Sequence, residues 1–374
     1  MEIKTVIPFF GVKRQYNNLR KEILEATDAV YSTGQVLDGN YTKEFEKQIA
    51  RRCNRKYAVA VNSCTQGLVF AQQVLFPENT RILIPTISFV ATINSILLNG
   101  NEPVLCDTDD QALMNLESLD YAIKGADVQG IMYVNIFGNT VDWNRFKLTT
   151  DFFNSDLKII EDAAQSFGAS HKGIPSGAMS DVSVLSFDPT KNLPNYGSGG
   201  MVLCDDWNLR NNLLDLRDNG KTNGHEIPGT NSKMSEADCA QMLVKLKYFD
   251  AWQKRRAEIA EYYSNELENY VDVPRVTEGT VHAWHKYVIK TNDREGLRLH
   301  MSLRGIETKV HYQNPLYEEP VGYPYINYAS ELYREASAFC QECLSLPIYP
   351  ELSDPEVEAV VDSVIKFYRQ VPST

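Results

Sequence analysis

The chain has 374 residues, 43% hydrophobic and 23% charged, which is typical of a soluble globular protein with a sizeable core. Its formal net charge of −12 argues against a nucleic-acid-binding surface, because such a surface needs clustered Lys and Arg. No run approaches the roughly 20 apolar residues that cross a bilayer, and a polar N-terminus with seven scattered cysteines predicts a reduced, cytoplasmic protein.

Seven short apolar runs lie in the first 205 residues, with helix-like segments between them. They are YAVAV (57–61), RILIP (81–85), PVLCD (103–107), GIMYVNIF (130–137), LKIIED (157–162), VSVLSF (182–187) and GMVLCD (200–205). Near-continuous apolar strands that alternate with helices indicate an α/β fold whose sheet is mostly parallel and covered on both faces. We therefore predict a mostly parallel, seven-stranded sheet flanked by helices.

After about Ser235 the short apolar runs give way to a long charged segment. SEADCAQMLVKLKYF has Ser235 as an N-cap and Asp238 three residues on, a capping-box pattern, and predicts one long charged helix through residue 270. A last helix is predicted from Asp354-Pro355. We expect a large domain over residues 1–250 and a smaller α+β domain over residues 251–374.

The first predicted strand ends in NSCTQGL (62–68), where a helix would begin at Ser63, Cys64 and Thr65. Free backbone N–H groups and hydroxyls at a helix start make a site that fits one phosphate. The simpler reading of Ser63 is a plain N-cap.

Three other strand ends carry chemically useful residues at the edge where ligands gather in open α/β sheets. The second predicted strand is followed by Phe89, and the fifth leads into EDAAQSFGA, which contains Asp162 and Gln165. The sixth predicted strand ends in SF, and Lys191 lies four residues after it. Each residue alone has a simpler explanation, since a lysine is usually solvated, an aspartate often caps a helix and a phenylalanine is usually core. Together, a phosphate cradle, an aromatic face, a carboxylate and a lysine are the groups that pyridoxal phosphate requires.

The chain resembles the DegT-type sugar aminotransferases, which have the pyridoxal-phosphate-dependent, aspartate-aminotransferase-like fold (fold type I). The stretches that carry the resemblance extend over nearly the whole chain. They are NSCTQGL, PTISFVAT, EDAAQSFGA, SFDPTKNLPNYGSGG, GTNSKMSEADCAQMLVKL, HAWHKYVI, GIETKVHY and LSLPIYPEL.

The resemblance assigns roles to individual positions. It implies that Lys191 is the Schiff-base lysine, that Asp162 pairs with the pyridine nitrogen, that Gln165 lies beside the ring oxygen and that Phe89 stacks on the ring. Asn231 is expected to reach the phosphate of the neighbouring subunit, which implies a homodimer with shared sites. The phosphate would be held within one chain by Ser63, Cys64, Thr65 and Ser186.

Two pairs of residues near the C-terminal strands have alternative interpretations. His311 and Tyr312 resemble a substrate-binding motif, but a strand-end histidine satisfied by the backbone is equally compatible with the sequence. His282 and His285 alternate along HAWHKY, and because no carboxylate or cysteine completes a metal site, we expect core packing and no metal.

The resemblance implies transfer of an amino group from glutamate to a keto group of a nucleotide-linked sugar. KNLPNYGSGG resembles the lysine loop of the 3-aminotransferase branch, with Asn192 where the 4-amino branch more often has histidine, so a 3-keto sugar is favoured over a 4-keto sugar. The family's usual glycine is replaced by Cys64, its acidic residue by Ser198 and its histidine by Tyr317. The last two are expected near the sugar pocket.

Two rival functions belong to the same fold. A sugar dehydratase of this family would have histidine in place of Lys191, and a non-catalytic regulatory protein would be expected to have lost Lys191 or Asp162. Both residues are present, which favours the aminotransferase.

Overall fold

The computed structural model describes residues 6–221, 224–325 and 333–370. Its centre is a seven-stranded sheet in the order β1-β9-β8-β5-β4-β2-β3. The strands are β1 (Tyr57–Val61), β2 (Arg81–Pro85), β3 (Glu102–Cys106), β4 (Gly130–Val134), β5 (Lys158–Asp162), β8 (Val182–Ser186) and β9 (Gly200–Cys204). β9 runs in the opposite direction to the other six strands, so that it pairs antiparallel with β1 and β8, while the remaining pairs of adjacent strands are parallel. The predicted mostly parallel, seven-stranded sheet is confirmed.

Five further strands form two small sheets among the described residues. One has the order β10-β6-β7 and the other pairs β11 with β12. Their bounds are β6 (Ser170–His171), β7 (Ile174–Pro175), β10 (Thr280–Val281), β11 (Tyr287–Lys290) and β12 (Cys343–Leu346).

The described residues also form twelve α-helices. They are α1 (Val12–Tyr31), α2 (Asn40–Arg52), α3 (Cys64–Leu75), α4 (Ala91–Leu97), α5 (Leu116–Ala126), α6 (Trp143–Phe153), α7 (Trp207–Arg217), α8 (Glu236–Leu246), α9 (Phe249–Leu267), α10 (Arg294–Leu303), α11 (Arg334–Glu342) and α12 (Asp354–Gln370). Not one of them, within the described residues, combines the length and apolar character needed to cross a membrane.

Helices cover the central sheet on both faces, because successive side chains of a strand point to opposite sides. On β2, Ile82 and Ile84 belong to a core shared with α3, α4 and α7, whereas Leu83 belongs to a core shared with α5 and α6. Burial on both faces explains why these strands are apolar at nearly every position.

The C-terminal half differs from the prediction in one place. The helix expected through residue 270 is two helices, since α8 ends at Leu246 and α9 begins at Phe249. The last helix begins at Asp354, and Ser353 before it donates from its N–H and its hydroxyl to Glu356. The predicted cap at Ser235 is confirmed, since its Oγ accepts a hydrogen bond from the Asp238 N–H at 3.0 Å.

A separate hydrophobic cluster joins α9, α10, α12, β11 and β12, and apart from Ile7 its fully buried members all follow residue 251. Ile7 is tied to that region, since its N–H donates to the carbonyl of Gly305 at 2.8 Å. The division at residue 250 stays a prediction.

Candidate active site

One cavity of about 350 Å³ lies at the carboxyl ends of β1, β5 and β8. Because these strands are parallel, residues that are far apart in sequence meet at this edge of the sheet. Ten of the eleven predicted site residues line it, namely Ser63, Cys64, Thr65, Phe89, Asp162, Gln165, Ser186, Lys191, His311 and Tyr312.

The start of α3 forms one end of the cavity. Ser63 is the N-cap, and its Oγ accepts a hydrogen bond from the Gln66 N–H at 3.1 Å. The backbone of β9 lies directly against this turn, because a Cβ on Gly200 would be 2.7 Å from the Cys64 nitrogen. Burial raises the pKa of the Cys64 thiol well above its usual range, so the side chain is a neutral thiol. The first turn is therefore a close-packed cradle suited to an anion.

A tight turn after β8 directs Lys191 into the cavity. The Ser186 hydroxyl accepts from the Asp188 N–H at 3.3 Å, and the Lys191 N–H donates to the Asp188 carbonyl at 2.9 Å. The Asp188 carboxylate accepts from both the N–H and the hydroxyl of Thr190, which stabilises the turn.

The amine of Lys191 lies in a poorly solvated environment. Burial lowers its pKa from the usual value, opposed by the nearby Cys64, Asp162 and Asp188. Because burial disfavours the charged form, a larger fraction of the amine is neutral and able to act as a nucleophile.

Asp162 is a buried carboxylate at the end of β5. Its Oδ2 accepts from the Thr92 hydroxyl at 2.8 Å and its Oδ1 from the Ala164 N–H at 3.1 Å. Burial raises its pKa, and these two hydrogen bonds and Lys191 oppose the rise. A carboxylate has about four acceptor positions, so Asp162 retains capacity for a donor on the cavity side.

Aromatic and amide groups form the remaining wall. The Gln165 Oε1 accepts from the Phe137 N–H at 3.1 Å, and its Nε2 donates to the Tyr312 hydroxyl at 3.0 Å, so the amide orientation is determined at both ends. The Phe89 side chain is 55% exposed, and its ring centroid is 6.4 Å from that of Tyr312. A planar group could lie against Phe89.

The two histidines of the cavity wall are both neutral. His311 hydrogen-bonds through Nδ1 to the Ser345 hydroxyl at 2.8 Å, and burial lowers its pKa to about 3. His285, which we expected in the core, is buried but also lines the cavity. Burial lowers its pKa well below the usual value, and its Nδ1 lies 3.3 Å from the Asn192 Oδ1.

Two residues, Asn192 and Tyr317, differ from their expected surroundings. Asn192 does not line the cavity, because its buried amide donates to the Ala283 carbonyl at 2.6 Å. Tyr317 is also absent from the wall, and its buried ring stacks on Tyr333 with centroids 5.0 Å apart. Of the two substituted residues expected near the sugar pocket, only Ser198 lines this cavity.

Asn231 is exposed and lies outside the cavity of its own chain. The adjacent Ser232 carbonyl accepts from the Asn62 N–H at 2.8 Å, so this segment lies beside the start of the cradle. The expected role of Asn231 in a neighbouring subunit stays a prediction.

Sequence reasoning missed Lys286, Lys309 and Phe10, which also line the cavity. Lys286 is 5% exposed, and it directly precedes the apolar strand β11. A lysine beside a buried strand was the one available signal, because burial of a cation requires a partner or a function.

A mostly parallel sheet with a lysine, a buried carboxylate and a helix N-terminus around one cavity is the arrangement expected for a pyridoxal-phosphate-dependent transferase. Comparison with known proteins agrees. The chain belongs to the DegT/DnrJ/EryC1/StrS aminotransferase family, whose model matches residues 17–365.

Two curated relatives are similar over nearly their whole length. The dTDP-3-amino-3,4,6-trideoxy-alpha-D-glucose transaminase of Streptomyces venezuelae is 31% identical, with 98% of this chain and 97% of the relative covered. The dTDP-3-amino-3,6-dideoxy-alpha-D-galactopyranose transaminase of Aneurinibacillus thermoaerophilus is 30% identical, with 97% and 99% covered. The crystal structure of S. venezuelae DesV in complex with a ketimine intermediate is 31% identical, with 98% and 99% covered and a TM-score of 0.93.

Proposed function

We propose that this aminotransferase moves the amino group of glutamate to the keto group of a nucleotide-linked sugar, with a 3-keto sugar favoured over a 4-keto sugar. The observation that carries the proposal is the position of Lys191 and Asp162 in one cavity, at the ends of the neighbouring strands β8 and β5. Family membership supports the reaction type.

The cavity fits pyridoxal phosphate. The first turn of α3, with Ser63, Thr65 and the backbone of Cys64, would hold the phosphate together with Ser186. Phe89 would lie against the ring. Pyridoxal phosphate supplies an aldehyde that carries the amino group and a ring that withdraws electrons from the reacting carbon.

The residues of this chain then have separate tasks. Lys191 would hold the cofactor covalently, and as a free amine its Nζ would take the proton from the α-carbon of the donor. Asp162 would be the anion that keeps a proton on the cofactor's ring nitrogen. Gln165, fixed by Phe137 and Tyr312, would contact the ring from the side.

The preference for a 3-keto sugar is supported by the lysine loop KNLPNYGSGG and by the names of the two relatives, both 3-amino sugar transaminases. Asn192 would influence the sugar only through His285, since its own side chain faces away from the cavity.

A visible absorbance band that shifts on addition of glutamate is expected from the purified holoenzyme. A non-catalytic protein would show no shift, and a dehydratase would remove a hydroxyl group of the sugar as water without adding an amino group. Assays with matched 3-keto and 4-keto nucleotide sugars, with the products identified by mass spectrometry, test which sugar carbon receives the amino group. Preference for the 4-keto sugar would overturn the regiochemistry, and failure of every keto sugar to accept nitrogen would overturn the function.

Changing Gly200 to alanine is expected to weaken binding of pyridoxal phosphate. The new Cβ would lie 2.7 Å from the Cys64 nitrogen, and the backbone of the cradle must move to accept it. Overpacking of this kind costs about 1–3 kcal/mol. Titration of the absorbance band gives the affinity, and thermal unfolding gives the stability.

The matched control is Gly197→Ala in the loop that leads into β9, where the nearest atom to the new Cβ is the Asn195 Nδ2 at 3.5 Å. It is expected to retain wild-type affinity. Equal affinities for the two variants would contradict a close-packed cradle.

The working unit is proposed to be a homodimer in which Asn231 completes the site of the partner chain. A two-fold interface repeats each contact, so both sites would be shared. Mixing Lys191→Ala chains with Asn231→Ala chains is then expected to restore activity, because one site of each mixed dimer contains both native residues. With random pairing, about a quarter of wild-type activity should return.

The complementation requires that each variant be inactive alone and that co-purification of the two differently tagged variants show mixed dimers. If mixed dimers form and remain inactive, Asn231 does not serve the partner's site.

A further inference from the structure

Two lysines outside the predicted machinery converge on one side of the cavity. Lys286 directly precedes β11, and Lys309 is joined to Ser345 of β12 by backbone hydrogen bonds. Their Nζ atoms lie 4.4 Å and 4.8 Å from the centroid of the Phe10 ring. They therefore place two positive charges at the same place from separate segments of the chain.

The two aromatic rings beside these lysines, Phe9 and Phe10, belong to the N-terminal segment, which a hydrogen bond to Glu307 holds in place. The Phe9 N–H donates to the Glu307 Oε2 at 2.9 Å, and the Phe9 ring also lies 5.2 Å and 5.7 Å from the two Nζ atoms. Aromatic faces attract cations, which partly compensates the loss of water around Lys286.

Neither lysine has a carboxylate in direct contact within the described part of the chain. Among the described residues, no ion pair or side-chain hydrogen bond involves the ammonium group of Lys286 or Lys309. The two carboxylates of the same cavity have other partners, since Asp162 accepts from Thr92 and Ala164, and Asp188 accepts from Thr190.

Burial makes this arrangement costly for the free protein. Lys286 is 5% exposed, and burial lowers its pKa well below the usual value. The positive charges of Lys191, Arg256 and Lys309 lower this pKa further, and Asp188 opposes them. An unpaired buried cation destabilises a fold. A costly charge that faces a reactive cavity is a candidate for ligand binding.

The surroundings define the ligand as an anion that lies close to the reacting amine. Lys286 and Lys309 both act electrostatically on His311, as does Lys191, and the two histidines of the wall are neutral. The proposed phosphate cradle is formed by other segments, at the start of α3 and the end of β8. Two converging ammonium groups match the two oxygens of a carboxylate.

We propose that Lys286 and Lys309 form a subsite for a carboxylate of the molecule that reacts at Lys191. The inference rests on the proposed function and adds a substrate class to it. The carboxylate could belong to the amino-acid donor or to a sugar acid that acts as acceptor, and the experiment separates these sources.

The test uses the holoenzyme with Lys286→Met, which keeps the apolar stem beside Phe10, and with Lys309→Gln, singly and together. The matched control is Lys158→Gln, which removes one charge at the exposed amino end of β5. The absorbance change on titration with L-glutamate measures donor binding alone. KM and kcat are then measured for a nucleotide-linked keto sugar acid and for its uncharged counterpart.

Each single variant is expected to lose roughly 10- to 100-fold in affinity for one carboxylate-bearing substrate, since a hydrogen bond to a charged group contributes about 1.5–3 kcal/mol. The double variant should lose more than either single variant. The KM should rise more than kcat falls, because a carboxylate that takes no part in the bond changes is bound alike in the substrate and in the transition state. Weaker glutamate binding assigns the carboxylate to the donor. A raised KM for the sugar acid but not for the neutral sugar assigns it to the acceptor.

Lys286→Met is further expected to raise the melting temperature, because an unpaired buried cation is removed. Unchanged binding of both carboxylate substrates in a folded double variant would overturn the proposal, and so would an equal loss for the neutral sugar. Weaker binding of pyridoxal phosphate with an unchanged KM would assign the lysines to the cofactor instead. If wild-type holoenzyme itself failed to respond to glutamate or any other amino donor, the proposed function would fail.

Discussion

Replacing Lys191 by alanine is expected to abolish transamination. The amine is needed twice, first for the covalent bond to the cofactor and then for proton transfer, and a methyl group can do neither. A positioned acid–base group alone contributes up to about 10⁴-fold, so turnover should fall at least that far. Steady-state assay with glutamate and a keto sugar measures the loss.

The fold should survive this change, because burial disfavours the charged form of Lys191 and its removal relieves that cost. Thermal unfolding of the variant is the control. Borohydride reduction of the wild-type holoenzyme followed by peptide mapping should label Lys191.

Lys286 offers a stringent alternative to that assignment, since it lines the same cavity and burial lowers its pKa as well. The exposed Lys172 provides a background site for the same experiment. A label on Lys286, or equal labelling of Lys191 and Lys172, would refute the assignment of Lys191.

Asp162→Asn is expected to leave folding and part of the cofactor binding intact while turnover falls. The amide has the shape of the carboxylate, and its oxygen can still accept from the Ala164 N–H, while its NH2 group would donate to the Thr92 hydroxyl oxygen in place of accepting from it. It carries no negative charge to keep the ring nitrogen protonated. An opposite charge at contact shifts a pKa by about 1–3 units, or roughly 1.4–4 kcal/mol, so kcat should fall about 10- to 1000-fold.

The control is Thr92→Val, which removes one hydrogen bond to Asp162 but keeps the carboxylate. It is expected to reduce kcat less than Asp162→Asn does. Binding of pyridoxal phosphate, followed by absorbance, separates loss of cofactor from loss of turnover. Near-normal kcat in Asp162→Asn would show that the carboxylate does not act on the ring.

The central sheet could be predicted because its strands are buried on both faces. Such strands are apolar at nearly every position, so β1 and β2 have the predicted bounds and the other five differ by only a few residues. The helices of the C-terminal half were harder to predict than the central sheet. The break between α8 and α9 falls at Lys247 and Tyr248, where no glycine or proline marks it, and local sequence gives no sign of it.

The sequence by itself was enough to predict which residues meet at one cavity. Asp162 ends an apolar strand, and Ser63 and Lys191 follow the ends of two others within a few residues. Parallel strands bring their carboxyl ends to one edge, so local pattern was enough to group them. The alternation along β5 also separates Asp162 from Glu161, whose carboxylate is buried on the other side and accepts from Asn135 and Ser176.

Only the tertiary structure decided which loop side chains face the cavity. Asn192 follows the lysine directly, yet it turns away to bond the carbonyl of Ala283, 91 residues further on. Lys286 and Lys309 face the cavity because the N-terminal Phe10 and the β11–β12 pair pack beside the central sheet. The orientation of a loop side chain depends on segments that are distant in sequence, and their packing leaves no periodic signal in the residues themselves.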